Sequence, residues 1–361
     1  MFINETTSQF WNLSGEYVEI SIDIEPDSND SVVSAAPLQT ISPLVSFHTF
    51  KLFRILIDLI LTNAMSLFGC CSNIVNIVVY LNMGLADTTT INILALSVLD
   101  LLACSTTLII LISVNPLTAS WTLPSGAPLL DLGFAALIVY YPCVACSAWV
   151  TALLSVERCL CIVVPLKVKT LVTPRRTALL IAAMALYQFI FICIMYIYTG
   201  PPYTPSPSSM DRKIYLFYSY SFPSTLCFIV IFISTIFLVL HLKSHRSQAW
   251  LKAAIGPSST NTAVANRTAK KEQKAVHFVI LICSLYLICF APNVMFFVTA
   301  QIIPELQFYD PYLGFLTQVI FIFCTLFQTI SSSINIFVYY SFNSNFRAVF
   351  KRMCCVVISH P

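Results

Sequence analysis

Charge is what this sequence has least of: Asp, Glu, Lys and Arg make up 10% of 361 residues, against roughly a quarter in soluble chains. Together with 58% hydrophobic residues and a mean hydropathy of +0.83, this excludes an ordinary water-soluble domain. Glycine is scarce, at eight residues, and no repeat of fixed period occurs, which excludes collagen-like, low-complexity and solenoid chains. Lys and Arg are missing from the first fifty positions, and no apolar core of the kind a cleaved signal peptide needs follows Met1. Export of that segment is therefore expected to rest on the first membrane helix. Catalytic signatures are missing as well. There is no His-Glu-x-x-His, no Gly-x-Ser-x-Gly and no phosphate-cradling glycine loop, so an enzyme is not expected.

Fourteen cysteines are present, yet none falls in a candidate outer loop, so they read as small buried hydrophobes rather than a disulfide scaffold. Cys143-Val144-Ala145-Cys146 has a redox-like spacing but lies in an apolar run without the strand-turn context of redox motifs, which points to packing. Residues 1–50 form a polar tail with Glu5, Glu16, Glu19, Asp23, Glu25, Asp27 and Asp30, expected to be disordered. Its three sequons, at Asn4, Asn12 and Asn29, predict glycosylation on an outer face.

Seven apolar runs follow, each near or above the roughly 20 residues that cross a bilayer as helix. They lie at about Leu56 to Leu81, Ile91 to Val114, Leu130 to Val164, Thr177 to Tyr198, Ile214 to Leu242, Val276 to Ala300 and Tyr312 to Tyr340. The expected fold is an all-α membrane protein, with a seven-transmembrane helix bundle over residues 51–341. Basic residues concentrate in alternate loops, at Lys167, Lys169, Arg175, Arg176, Lys270, Lys271 and Lys274, and after the last run, at Arg347, Lys351 and Arg352. The positive-inside rule then puts the tail outside and the carboxyl terminus in the cytosol. That topology accounts for the basic loops, so no nucleic-acid partner is expected. Over residues 342–361, Phe342, Phe346, Val349 and Phe350 recur at helical spacing and predict a short amphipathic helix on the inner leaflet. Cys354 and Cys355 follow it as candidate palmitoylation sites, or as two unmodified thiols.

Two features carry cost. Asp100 lies inside the second run as the one central charge, where a carboxylate costs about 2.5–3.5 kcal/mol on insertion scales. Glu157-Arg158 closes the third run, next to a basic segment.

Seven spans with an acid-base pair ending the third resemble the rhodopsin-like G-protein-coupled receptors, and the likeness extends from about Ser66 to Cys355. Ser72-Asn73 resembles the family's Gly-Asn, and Leu94-Ala95-Leu96 with Asp100 its second-helix signature. Glu157-Arg158-Cys159 is similar to Asp-Arg-Tyr, Pro223 to the fifth-helix proline and Cys289-Phe290-Ala291-Pro292 to Cys-Trp-x-Pro. Asn335-Ile336-Phe337-Val338-Tyr339 resembles Asn-Pro-x-x-Tyr. The run from Glu157 through Pro165-Leu166-Lys167 to Arg176-Thr177 is similar, more narrowly, to chemosensory receptors of gastropod molluscs.

The resemblance implies a receptor at the plasma membrane that binds an extracellular ligand, a chemosensory small molecule or a peptide, and activates a cytosolic heterotrimeric G protein. It implies a polar core in which Asn73, Ser147, Ser331 and Asn335 surround a sodium ion at Asp100, or alternatively a water-bridged network around a protonated Asp100. It implies a ligand pocket at Tyr140, Tyr141, Phe290, Asn293, Phe297, Thr325 and Gln328. With Tyr140 at the position where aminergic members carry a carboxylate, a simple biogenic amine is not the expected ligand. For coupling it implies Glu157, Arg158 and Tyr339, with Glu272 as the acid that holds Arg158 at rest. Glu272 stands among three lysines, and a solvated surface residue is the competing reading. Three departures stand out: Ile336 replaces a proline, Phe290 a tryptophan, and Gly133 the cysteine of the usual outer disulfide. A neuropeptide receptor is the alternative. A transporter or channel fits less well, because the halves are unlike and the one central charge is Asp100.

Overall fold

A backbone cannot leave its polar groups unbonded in hydrocarbon, so each apolar run closes its hydrogen bonds as a helix. The computed structural model describes residues 7–11, 17–21, 42–115, 118, 121–199, 220–255, 261–303, 305–306 and 310–359. Seven of its helices are long and apolar enough to cross a bilayer: Phe47–Met83, Thr88–Ser113, Leu129–Val163, Pro174–Ile194, Phe222–Ser244, Gln273–Ile302 and Gly314–Phe342. The chain is a nearly all-helical, multi-pass membrane protein built as a seven-helix bundle. A two-stranded antiparallel hairpin pairs Thr7–Trp11 with Tyr17–Ser21 in the tail. The sequons at Asn4, Asn12 and Asn29 lie outside the described residues.

Local chemistry sets several ends. Ser46 starts the first span by accepting the Thr49 N–H on its Oγ at 3.2 Å. The same span stops at Gly84, whose φ of +85° suits a residue without Cβ. Thr173 caps the fourth span through the Arg176 N–H, with Pro174 at its first position. The seventh span runs unbroken to Phe342, with Ile336 continuing the helix where the family's proline would remove a backbone donor.

One boundary needs correction. The first span begins at Phe47 rather than Leu56, because Ser46 caps it and its outer turns pack on the seventh span. Phe50 stacks on Phe315 at 5.0 Å between centroids, and Phe53 meets Phe323 edge-on at 5.7 Å. Lys51 and Arg54 therefore belong to this span together with Asp58, which the apolar run already contained, and Asp100 is not the one charge inside the bundle. Arg54–Thr62 is wound as a π-helix, with the Asn63 N–H reaching the carbonyl of Asp58. The Asn63 side chain donates to the Asp58 and Leu59 carbonyls at 3.2 and 3.0 Å, holding the wide turn. Such turns are rare and concentrate at functional sites.

The third span forms the axis: Cys143, Val144, Ala145 and Ala148 are all fully buried. None of the fourteen cysteines is in a disulfide, and Cys143 and Cys146 are among the core residues. Close approach explains two glycines. A Cβ on Gly69 would collide with Ser333 Oγ and stand 2.5 Å from Cys104 Sγ. At Gly133 it would collide with Ser113 Oγ, so the second and third spans touch at this point. Gly133→Ala is expected to destabilise the purified protein by about 1–3 kcal/mol, the usual range for overpacking. Adding Ser113→Gly should restore most of the thermal midpoint. A single mutant that melts with the wild type would show that the contact is slack.

Candidate functional site

The centre of the bundle holds a polar chamber of about 30 Å³, lined by Asp100, Ser147, Ser331, Ser332, Asn335 and Gln328 together with Phe290. Such a volume suits about two waters, or one small ion that has shed most of its hydration shell. Ser147 Oγ donates to Asp100 Oδ1 at 3.1 Å and Asn335 Nδ2 to Oδ2 at 3.0 Å, so the carboxylate, 2% exposed, joins the second, third and seventh spans. Asn73 is not in this group. Its Nδ2 donates to the carbonyls of Gly69 and Ser332 at 2.9 and 2.8 Å, and Ser72 Oγ donates to that of Ser333 at 2.9 Å. These bonds knit the first span to the seventh at a depth where water offers no competing partner.

Of the seven pocket candidates, Tyr140, Tyr141 and Thr325 line an outer cavity of about 290 Å³. Phe290 and Gln328 face the polar chamber below instead. Asn293 accepts a 3.3 Å bond from the Tyr220 hydroxyl, and Phe297 meets the Tyr220 ring at 5.1 Å, so both close on the turn that leads into the fifth span. The cavity is displaced towards the first and second spans, where Arg54, Asp58, Thr107 and Leu111 complete it. Arg54 and Asp58 are functional candidates that sequence reasoning missed. The available signal was an acid between Ile57 and Leu59, since an intramembrane charge is a site candidate by default.

Near the carboxyl end of the third span, Glu157 is 3% exposed and accepts from three side chains: Thr88 Oγ1, Asn92 Nδ2 at 2.8 Å and Arg158 Nη2 at 3.0 Å. Arg158 also donates to Thr89 Oγ1. The pair is thereby clasped by the first turns of the second span. This clasp borders an inner cavity of about 500 Å³ lined by Thr89, Arg158, Lys274, Phe278 and Asn343. Glu272 sits on the inward extension of the sixth helix, two residues before Lys274, and its side chain lies outside the described residues. Tyr339 is fully buried, edge-on to Tyr80 at 5.5 Å and near Phe346 and Phe278, each at 5.9 Å.

The terminal helix Ser344–Ser359 docks through that aromatic cluster, with Phe346 fully buried. Asn343 Oδ1 caps it by accepting the Asn345 and Phe346 N–H groups, each at 3.1 Å. Cys354 and Cys355 are exposed on it. Among the described residues no cluster of three His, Cys, Asp or Glu side chains forms a metal site.

The family model described as 7 transmembrane receptor (rhodopsin family) matches residues 72–339, about three quarters of the chain. The chain belongs to that family. A search of curated proteins found no match.

Proposed function

We propose that this receptor sits in the plasma membrane with its tail outside, binds an extracellular small molecule and activates a cytosolic heterotrimeric G protein. The observation that carries the coupling half is the Glu157–Arg158 clasp on Thr88, Thr89 and Asn92 at the mouth of the inner cavity. In this resting arrangement the guanidinium is turned onto the second span. A ligand that favours a bundle with an opened inner end releases it. A cavity of about 290 Å³ favours a small molecule over a neuropeptide, in keeping with the chemosensory likeness of the segment from Glu157 to Thr177.

The same reading places a sodium ion at Asp100, with oxygen from Ser147 and Ser331 beside it. One carboxylate and hydroxyl donors suit a small hard cation. It places glycans on Asn4, Asn12 and Asn29, and acyl chains on the exposed Cys354 and Cys355, which would anchor the terminal helix to the inner leaflet.

The test is nucleotide exchange on purified heterotrimers of each G-protein class by the full-length receptor in lipid nanodiscs. Exchange above empty nanodiscs is expected for one class and should vanish in Arg158→Ala. Equal exchange in that variant, or ion current through the receptor in G-protein-free bilayers, would overturn the reading.

A further inference from the structure

The outer turns of the first span lean on the seventh span, through Phe50, Phe53, Phe315 and Phe323, and so stand off from the second. The gap holds two adjoining cavities of about 230 and 290 Å³ that share Phe50, Arg54, Asp58, Leu111 and Val114. Across it, Arg54 Nη2 donates at 2.9 Å to the carbonyl of Val114, the residue that caps the second span's outer end. That carbonyl lies at the negative end of a helix dipole, which holds the guanidinium in place. One bond leaves most of its five N–H donors open.

Asp58 lies one turn deeper on the π-helical stretch. Among the described residues its carboxylate accepts no hydrogen bond and forms no ion pair within 4 Å. Opposite charges thus border one cavity without meeting each other. A lone cation entering it would face Arg54, with Lys51 at the adjoining cavity, and a lone anion would face Asp58. A molecule carrying both charges a few bonds apart satisfies both walls.

We propose that this gap binds a small zwitterion of the α-amino-acid type with an aromatic or apolar side chain. The ammonium pairs with Asp58, the carboxylate with the free edge of Arg54, and the side chain lies against Leu137, Tyr140 and Phe321. The inference names the ligand class for the receptor proposed above and rests on it for signalling, but not for binding.

The experiment measures binding directly, by equilibrium dialysis of radiolabelled L-phenylalanine, and of a labelled mixture of the proteinogenic amino acids, against full-length receptor in nanodiscs. Saturable binding is expected. Phenethylamine, which lacks the carboxylate, and 3-phenylpropanoate, which lacks the ammonium, should each compete about tenfold less well or worse. Asp58→Asn and Arg54→Gln should each weaken binding by about tenfold or more, with the thermal midpoint recorded to exclude misfolding. Leu111→Trp, which fills the gap and leaves both charges, should abolish it. No saturable binding, phenethylamine competing as well as phenylalanine, or unaltered binding in Arg54→Gln would each overturn the proposal. Nucleotide exchange on the same nanodiscs separates the two readings. Binding without exchange sinks signalling alone, and exchange without binding sinks this site alone.

Discussion

Glu157→Gln is expected to raise ligand-free nucleotide exchange by about tenfold and to lower thermal stability. The carboxylate is the shared acceptor for Thr88, Asn92 and Arg158. Glutamine keeps the shape and one acceptor oxygen, but turns an amide donor towards one of those donors and removes the charge that holds Arg158. Losing one partner of a fully buried pair costs about 3–5 kcal/mol. The Arg158 side chain is 15% exposed, so part of that is screened, and about 1.5–2 kcal/mol is a fair share. A resting equilibrium shifted by about 1.4 kcal/mol moves tenfold. Glu272→Ala should act in the same direction but only several-fold, because three neighbouring lysines compete for that acid and a surface pair is worth about 1 kcal/mol or less. Exchange by Glu157→Gln equal to that of wild type, at matched receptor content, would show that the clasp does not restrain the resting state.

The spans were legible because each is a continuous apolar run, and hydropathy reports that directly. Where hydropathy averages over a charge it misleads: Asp58 disappears among Ile55, Leu56, Ile57, Leu59, Ile60 and Leu61. Lys51 and Arg54, by contrast, made the run look nine residues shorter than the helix that Ser46 begins. The grouping of Asp100 with Ser147 and Asn335 was legible through the family resemblance, and the structure joins them by hydrogen bonds. Asn73, assigned to the same group, turns to the carbonyls of Gly69 and Ser332 instead. Side-chain type tells that a polar residue must find a partner in the bundle, but not which one, since helix rotation of a few tens of degrees changes the choice. The same limit hid the hold of Thr88 and Asn92 on Glu157, sixty-odd positions away. It also hid the shift of the outer cavity towards the first span, which depends on a π-helical stretch that no apolar periodicity announces.

Asp100→Asn is expected to erase a sodium response that the wild type shows. Asp100 is 2% exposed in a chamber with room for a small ion, and its two oxygens accept from Ser147 and Asn335. A cation bound there neutralises the one carboxylate of the chamber and stabilises the conformation that contains it. At a concentration about tenfold above its dissociation constant, that linkage is worth about 1.4 kcal/mol. Replacing N-methyl-D-glucamine with sodium at a constant ionic strength of about 0.15 M should therefore raise the thermal midpoint of the purified receptor. Potassium, larger and less well matched to so small a chamber, should do so less. Asparagine keeps the volume but leaves no charge to attract the ion, and its amide opposes the donor of Asn335 or Ser147. The sodium increment should vanish in that variant, while the helical content by circular dichroism stays the same. An equal increment with potassium, or one retained in Asp100→Asn, would assign the salt effect to general screening and remove the ion from the core.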